Sequence, residues 1–210
     1  MQRSHALAGL TLSEIASRHQ LRVPTRLHHA KGWIGQLLEQ CLGATAGTAA
    51  APDFQSLGIE LKTIPVNRLG QPKESTYVCT VPLHGEAEAC WQDSWVRGKL
   101  ACVLWLPIEA DSQIPIEARR IGTAILWSPS AQQEQCLQQD WEEHMELIQC
   151  GRIQEISAHH GTCLQIRPKA ANKKALCTTT DEDGLPVQTL PRGFYLRPSF
   201  TAEILRQQYC

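Results

Sequence analysis

Six residues separate Asp53 from Glu60-Leu61-Lys62, and these residue types at this spacing could hydrolyse a phosphodiester. A β-strand turns successive side chains to opposite faces, so Glu60 and Lys62 project from the same side. Asp53 precedes that strand and can turn back to its edge. Two carboxylates meeting at one point are costly unless a cation neutralises them. Oxygen donors without Cys or His suit Mg²⁺, which keeps several waters and takes one or two carboxylates. The Leu61 backbone carbonyl, between the two side chains, offers another oxygen. Lys62 beside such an ion would hold an attacking water and stabilise its deprotonated form. Cation, oriented water and nearby positive charge are the parts that in-line attack on phosphorus needs. Glu-x-Lys alone is a weak signal, because an exposed strand edge often carries both residues.

Capping signals and periodicity predict the elements that must position these groups. Thr11-Leu-Ser-Glu14 has the capping-box form and opens a helix to about His19. Pro24 breaks that segment. A second helix is predicted from Lys31 to Leu42, closed by Gly43. Its Ile34, Leu37, Leu38, Cys41 and Leu42 make a buried stripe, and Glu39 lies off it. A loop of small residues, 43–52, leads to Asp53. The strand Ile59–Ile64 is ended by Pro65 and the turn signals of Asn67–Pro72. Tyr77–Val81 reads as the next strand, making an antiparallel hairpin with a long loop. The apolar runs Cys102–Pro107 and Ile121–Trp127 read as central strands. Ser130 to Cys150 is the longest predicted helix, capped by Ser130 and Gln133. Its inner face is Leu137, Trp141, Met145 and Ile148. Its outer face, Glu134, Asp140, Glu142, Glu143 and Glu146, reads as solvated. Strands mixed with helices predict an α/β domain.

The 210 residues suffice for one domain or two small lobes. Twenty Lys and Arg against 21 Asp and Glu give a formal charge of −1, which excludes a histone-like, purely electrostatic DNA binder. The near-neutral total hides basic ends around an acidic middle. No run approaches the roughly 18 apolar residues of a membrane span, and no secretory h-region is visible at the N-terminus. Nine cysteines, an odd number with no C-x-x-C, read as free thiols in a reducing cytoplasm. The histidine pairs His28–His29 and His159–His160 are adjacent in sequence, which does not suit a zinc site.

Longer blocks carry more information than the triad. They are Lys31-Gly-Trp-Ile-Gly-Gln-Leu-Leu-Glu39, Pro52-Asp-Phe, Leu57-Gly-Ile-Glu-Leu-Lys-Thr-Ile-Pro65, Val96-Arg-Gly-Lys99, Gln165-Ile-Arg-Pro-Lys-Ala-Ala-Asn172 and Leu190-Pro-Arg-Gly-Phe-Tyr-Leu196. In this order they closely resemble the MutH family of methyl-directed mismatch-repair endonucleases, from about residue 9 to 208. The resemblance implies a restriction-endonuclease-like fold: a mixed sheet flanked by helices, with two arms around a DNA cleft. The catalytic arm would span about 1–100 and the recognition arm about 101–210. It implies Mg²⁺-dependent nicking of the unmethylated strand at hemimethylated GATC, 5′ to the G, with activation by MutL after MutS has found a mismatch.

Residue by residue, Asp53 and Glu60 match the family's metal-binding carboxylates and Lys62 its catalytic lysine. Glu39 matches a further active-site acid and Lys99 a lysine at the cleft. Lys31 matches a residue near DNA. A positive charge at a helix N-terminus is disfavoured by the dipole, so a phosphate partner would account for it. Arg167, Pro168 and Lys169 fall on a basic loop after a strand and match the base-reading segment. An arginine can bind guanine O6 and N7 together. Lys169, Lys173 and Lys174 are expected to meet phosphates. Tyr195 matches the residue near the adenine whose methylation is sensed. Tyr77 stands where well-known members carry Phe. The segment Cys177–Gln188, with three consecutive acids, departs from the family pattern.

A near-neutral protein with three acids at its site should bind DNA weakly and with strong salt dependence, so recruitment by a partner would supply affinity. A single nick asks for one site, so a monomer is expected. The rival readings are a stand-alone GATC restriction endonuclease, a non-catalytic DNA-binding module, and an enzyme of other chemistry on the same fold.

Overall fold

Thr11 caps its helix as expected: its hydroxyl accepts from the Glu14 N–H, and the Glu14 carboxylate accepts from the Thr11 N–H at 2.7 Å. The computed structural model describes residues 1–25, 27–47, 51–83, 90–169 and 176–209, with the side chains of 27–31 and 208–209 outside that description. Along the chain run α1 (Gln2–His5), α2 (Leu12–Arg18), α3 (Leu27–Leu42), β1 (Glu60–Val66), β2 (Thr76–Thr80), α4 (Trp95–Leu100), β3 (Val103–Glu109), β4 (Ile125–Trp127), α5 (Ala131–Gln149), β5 (Leu164–Pro168), β6 (Cys177–Thr180), β7 (Pro186–Thr189), β8 (Arg192–Leu196) and α6 (Pro198–Tyr209). Among the described residues, no helix is long and apolar enough to cross a membrane.

The chain forms two compact units that interleave in sequence. The first holds Met1–Glu74, Ala101–Ser128 and Ala202–Cys210; the second holds Ser75–Leu100 and Pro129–Thr201. The strand pairings explain why: β1 finds its partner across the sequence of the second unit.

In the first unit the sheet order is β1-β3-β4. β1 runs parallel to β3, with Glu60 opposite Val103 and Lys62 opposite Trp105, and β4 runs antiparallel to β3. This mixed sheet corrects the expected β1–β2 hairpin. β3 is apolar along its length and buried on both faces, as a central strand must be. β4 is an edge, not the central strand expected: Leu126 points outward at 42% exposure between buried Ile125 and Trp127. β1 also runs on through Pro65 to Val66, because a proline without an N–H is tolerated on an edge strand. Leu12 and Ile15 of α2, Leu37 and Leu38 of α3, and Leu104 and Leu106 of β3 share one core. Each such side chain contributes about 1.5–3 kcal/mol on full burial.

The second unit carries the antiparallel sheet β2-β8-β5, and its β6 and β7 pair as a hairpin. The divergent segment Cys177–Gln188 is therefore largely this hairpin. α5 is capped by Ser130 and Gln133 as expected, and Leu137, Trp141 and Met145 face inward, with Ile148 half-buried. The acidic outer face needs two corrections. Asp140 is buried, and its carboxylate accepts the backbone N–H groups of Thr162, Cys163 and Leu164 at 2.6–2.9 Å. Glu134 accepts from Arg97 Nε at 2.7 Å and from the Trp91 indole. Only Glu142, Glu143 and Glu146 are the open solvated acids of that face.

The cysteine reading is also corrected. Cys136 of α5 and Cys163, just before β5, form a disulfide, while Cys41, Cys79, Cys90, Cys102, Cys150 and Cys177 are free. Cys210 lies outside the described residues. The pair is brought together by the same Asp140 clamp, which draws residues 162–164 onto α5. Closing a loop of this length restricts the unfolded chain by roughly 3–4 kcal/mol in the chain-entropy model. The oxidised protein is expected to melt above the reduced one. Alkylation before reduction should leave Cys136 and Cys163 unlabelled. Nine labels without reductant, or equal melting in both states, would remove the cross-link.

Candidate active site

The turn between Asp53 and Glu60 sets the site. Phe54 and Ile59 exchange backbone hydrogen bonds across a short 3₁₀ turn, Gln55–Leu57. Gly58 closes the turn at φ +64°, a left-handed conformation that side chains disfavour. The chain is thereby folded back, and Asp53 Oδ2 accepts the Leu61 N–H at 2.8 Å. The expected return of Asp53 to the strand edge is present. Within a strand, the N–H and C=O of one residue point to the same side. The Leu61 carbonyl therefore faces the edge that Asp53 occupies.

Glu60 and Lys62 share a face of β1, as alternation requires. Lys62 Nζ lies 3.2 Å from Glu60 Oε1, and both side chains are only 8% exposed. Glu39 joins them from the last turn of α3. The N–H groups of Gly43 and Ala44 bond to the Glu39 carbonyl, while those of Thr45 and Ala46 bond to the Asp53 carbonyl. The loop after α3 thus ties the end of the helix to Asp53. Burial raises the pKa of the Glu39 carboxyl, and the negative charges of Asp53 and Glu60 raise it further.

Three carboxylates therefore lie within electrostatic reach of one another beside the Lys62 amine. This excess of negative oxygen donors fits a hard divalent cation held by Asp53, Glu60 and the Leu61 carbonyl. A tighter trio of ligand-type atoms, Cys136, Asp140 and Cys163, lies in the second unit. Its sulfurs are bonded to each other and its carboxylate is saturated by backbone N–H groups, so it is structural.

The Glu39 shift has a testable consequence. A carboxyl whose pKa is raised by folding favours the native state while protonated, and that contribution is lost as pH rises through the raised value. Glu39→Gln should therefore raise the melting temperature at neutral pH in the presence of a chelator. The gain should shrink as pH falls through the raised value and vanish below the ordinary glutamate range. A gain that does not change with pH would contradict the charge crowding.

The remaining sequence-predicted residues sit in the second unit, apart from Lys31, whose side chain lies outside the described residues. So do Lys173 and Lys174. Lys99 is half-buried on α4. Arg167 and Pro168 are the last residues of β5 rather than a loop, with Lys169 directly after them. The ladder extends that far because β8 pairs residue for residue, Arg167 with Gly193 and Pro168 with Arg192.

Gln165, Tyr195 and Tyr77 form one row across β5, β8 and β2; Arg167, Gly193 and Thr80 form the next but one. A bulge between Tyr77 and Cys79 brings Thr80 into the latter row, where its hydroxyl lies 3.0 Å from the Tyr77 hydroxyl. The two tyrosine rings meet edge to face at 5.4 Å, and Lys169 Nζ sits 3.5 Å from the Tyr77 ring centroid. Gly193 is required by these rings: a Cβ there would lie 2.9 Å from Tyr77 Cε2 and 3.1 Å from Tyr195 Cε2. Ser75 and Gln165, which bond to each other and to Arg167 through the serine hydroxyl, were not singled out in the sequence. Alternation along Gln165-Ile-Arg167 was the available signal for Gln165.

An acid returned to the edge of a strand that bears Glu-x-Lys, on a mixed sheet flanked by helices, defines a restriction-endonuclease-like protein. Comparison with known sequences narrows the class. Residues 42–140 match the family model described as "DNA mismatch repair enzyme MutH". A DNA mismatch repair protein MutH of Serratia proteamaculans is 51% identical over 208 residues, covering 99% of this chain and 91% of the relative. One of Shewanella baltica is 52% identical over 209 residues, covering 100% and 94%. One of Vibrio parahaemolyticus is 50% identical over 209 residues, covering 100% and 92%. The chain belongs to the MutH family.

Proposed function

We propose that this protein is the strand-nicking endonuclease of methyl-directed mismatch repair. It cuts the unmethylated strand of hemimethylated GATC, 5′ to the G, with Mg²⁺ as cofactor. It acts as a monomer in the cytoplasm, and MutL activates it once MutS has bound a mismatch. The observation that carries this reading is the Asp53 carboxylate on the Leu61 N–H, beside the buried Glu60–Lys62 pair.

Asp53, Glu60 and the Leu61 carbonyl would hold the Mg²⁺, which supplies Lewis-acid charge at the phosphate and lowers the pKa of a bound water. Lys62 orients the attacking water and offsets its developing negative charge. Glu39 adds a carboxylate that burial and the charges of Asp53 and Glu60 make a better proton acceptor than an ordinary glutamate. The new P–O bond forms as the opposite one breaks, and the leaving oxygen takes up a proton. Lys99 adds positive charge. In the second unit, Arg167 and Pro168 read base edges, Lys169 and Lys31 of the first unit meet phosphates, and Tyr77 and Tyr195 face the adenine. One methyl group against an apolar surface discriminates by only about 1–3 kcal/mol, so strand choice also calls for a polar contact.

The test is cleavage of hemimethylated, unmethylated and fully methylated GATC duplexes with Mg²⁺, with and without MutL. Nicking of the hemimethylated duplex, accelerated by MutL at moderate salt, is expected. Equal rates with and without MutL would remove the recruitment step. Linear product from unmethylated plasmid without a helper would identify a stand-alone restriction endonuclease instead.

A further inference from the structure

We infer that Ser75 is a positioning residue for Arg167, setting the guanidinium that reads guanine. The inference rests on the base-reading role proposed for Arg167. Ser75 lies immediately before β2, and Gln165 and Arg167 project from one face of β5. Gln165 Nε2 donates to Ser75 Oγ at 2.7 Å, and Arg167 Nη1 donates to the same oxygen at 3.2 Å. A serine oxygen has two acceptor sites. The amide occupies one and the guanidinium the other.

Gln165 is 5% exposed and therefore fixed by packing, whereas Arg167 is exposed. The order thus passes from a buried amide, through a half-buried hydroxyl, to an exposed cation. A free arginine side chain samples many rotamers, and holding one of them lowers the cost of binding. Bidentate contact to guanine needs a planar group at one angle, so a supporting partner acts on base reading more than on general affinity. Gly193, opposite Arg167 on β8, adds no side chain of its own to that row. The two tyrosine rings crowd the space beside it, which leaves Ser75 as the polar partner that the structure gives the guanidinium.

The test removes one acceptor from the base. A hemimethylated duplex with 7-deazaguanine in GATC lacks guanine N7 but keeps its phosphates and pairing. The parent protein should nick it about 5- to 10-fold more slowly than the normal duplex, the lower range for a bidentate contact. Ser75→Ala should cut that penalty to about 2-fold or less, and Ser75→Thr, which retains the hydroxyl, should restore it. A residue needed only for folding would slow both duplexes equally. Arg167→Ala should abolish the penalty. If Arg167→Ala abolishes it and Ser75→Ala leaves it whole, the positioning role is wrong while base reading stands. If Arg167→Ala leaves it whole, base reading by Arg167 fails and the role of Ser75 falls with it.

Discussion

Lys62→Ala should slow nicking by about 10²–10⁴-fold, the range for removing a positioned proton-handling or charge-stabilising group. Lys62 faces three carboxylates at the site, and its amine lies 3.2 Å from Glu60 Oε1 with both side chains almost fully buried. In the proposed reaction, removing it would take away positive charge beside the phosphate, and it also takes the Lys62 ammonium from the Glu60 carboxylate. The second effect is a stability cost, about 3 kcal/mol when one partner of a buried pair is lost. Mg²⁺ should offset much of that cost, since it neutralises the same oxygens. Single-turnover nicking and thermal melts with and without Mg²⁺ separate the two effects. Glu60→Gln should lose a comparable factor in rate and bind Mg²⁺ more weakly. A variant at either position that is folded and nicks at the parental rate would refute the site.

Asp140→Ala is expected to be the most damaging change outside the active site, at about 3–5 kcal/mol. Its carboxylate accepts three consecutive backbone N–H groups, and the side chain is buried. Each buried donor left without a partner costs about 1–3 kcal/mol, and partial relaxation absorbs part of the sum. Asp140→Asn keeps one oxygen acceptor and should cost less. Denaturant midpoints of the two variants, under reducing conditions, measure the difference. A loss below about 1 kcal/mol for the alanine variant would mean that water or the chain re-satisfies those N–H groups. Residues 162–164 lead directly into β5, so the loosened variant should also blunt discrimination at guanine through Arg167.

Local signals were legible in the sequence. The capping boxes at Thr11 and Ser130, the stripe of α3 and the shared face of Glu60 and Lys62 depend on neighbours within a few residues. The return of Asp53 was readable for the same reason, since its six-residue turn closes on itself. Pairing partners were not legible. β1 adjoins β3 and β2 adjoins β8, and nothing in a strand's own residues states which distant strand it will meet. Asp140 reads as exposed from sequence because an acid on a helix usually faces water. Its position beside Leu137, Trp141 and His144 points inward, and only the distant Thr162–Leu164 backbone makes that tolerable. The Cys136–Cys163 bond was hidden by the same distance.

The interleaving of the two units has a bearing on synthesis. The chain crosses between them four times, and the first unit takes its final piece from Ala202–Cys210. Translation proceeds from the N-terminus, and domains ordinarily fold as they emerge. Here synthesis must pass residue 201 before either half is complete. A nascent or prematurely terminated product is thus left without a finished nuclease, a useful property for an enzyme whose stray cuts would fall on its own chromosome.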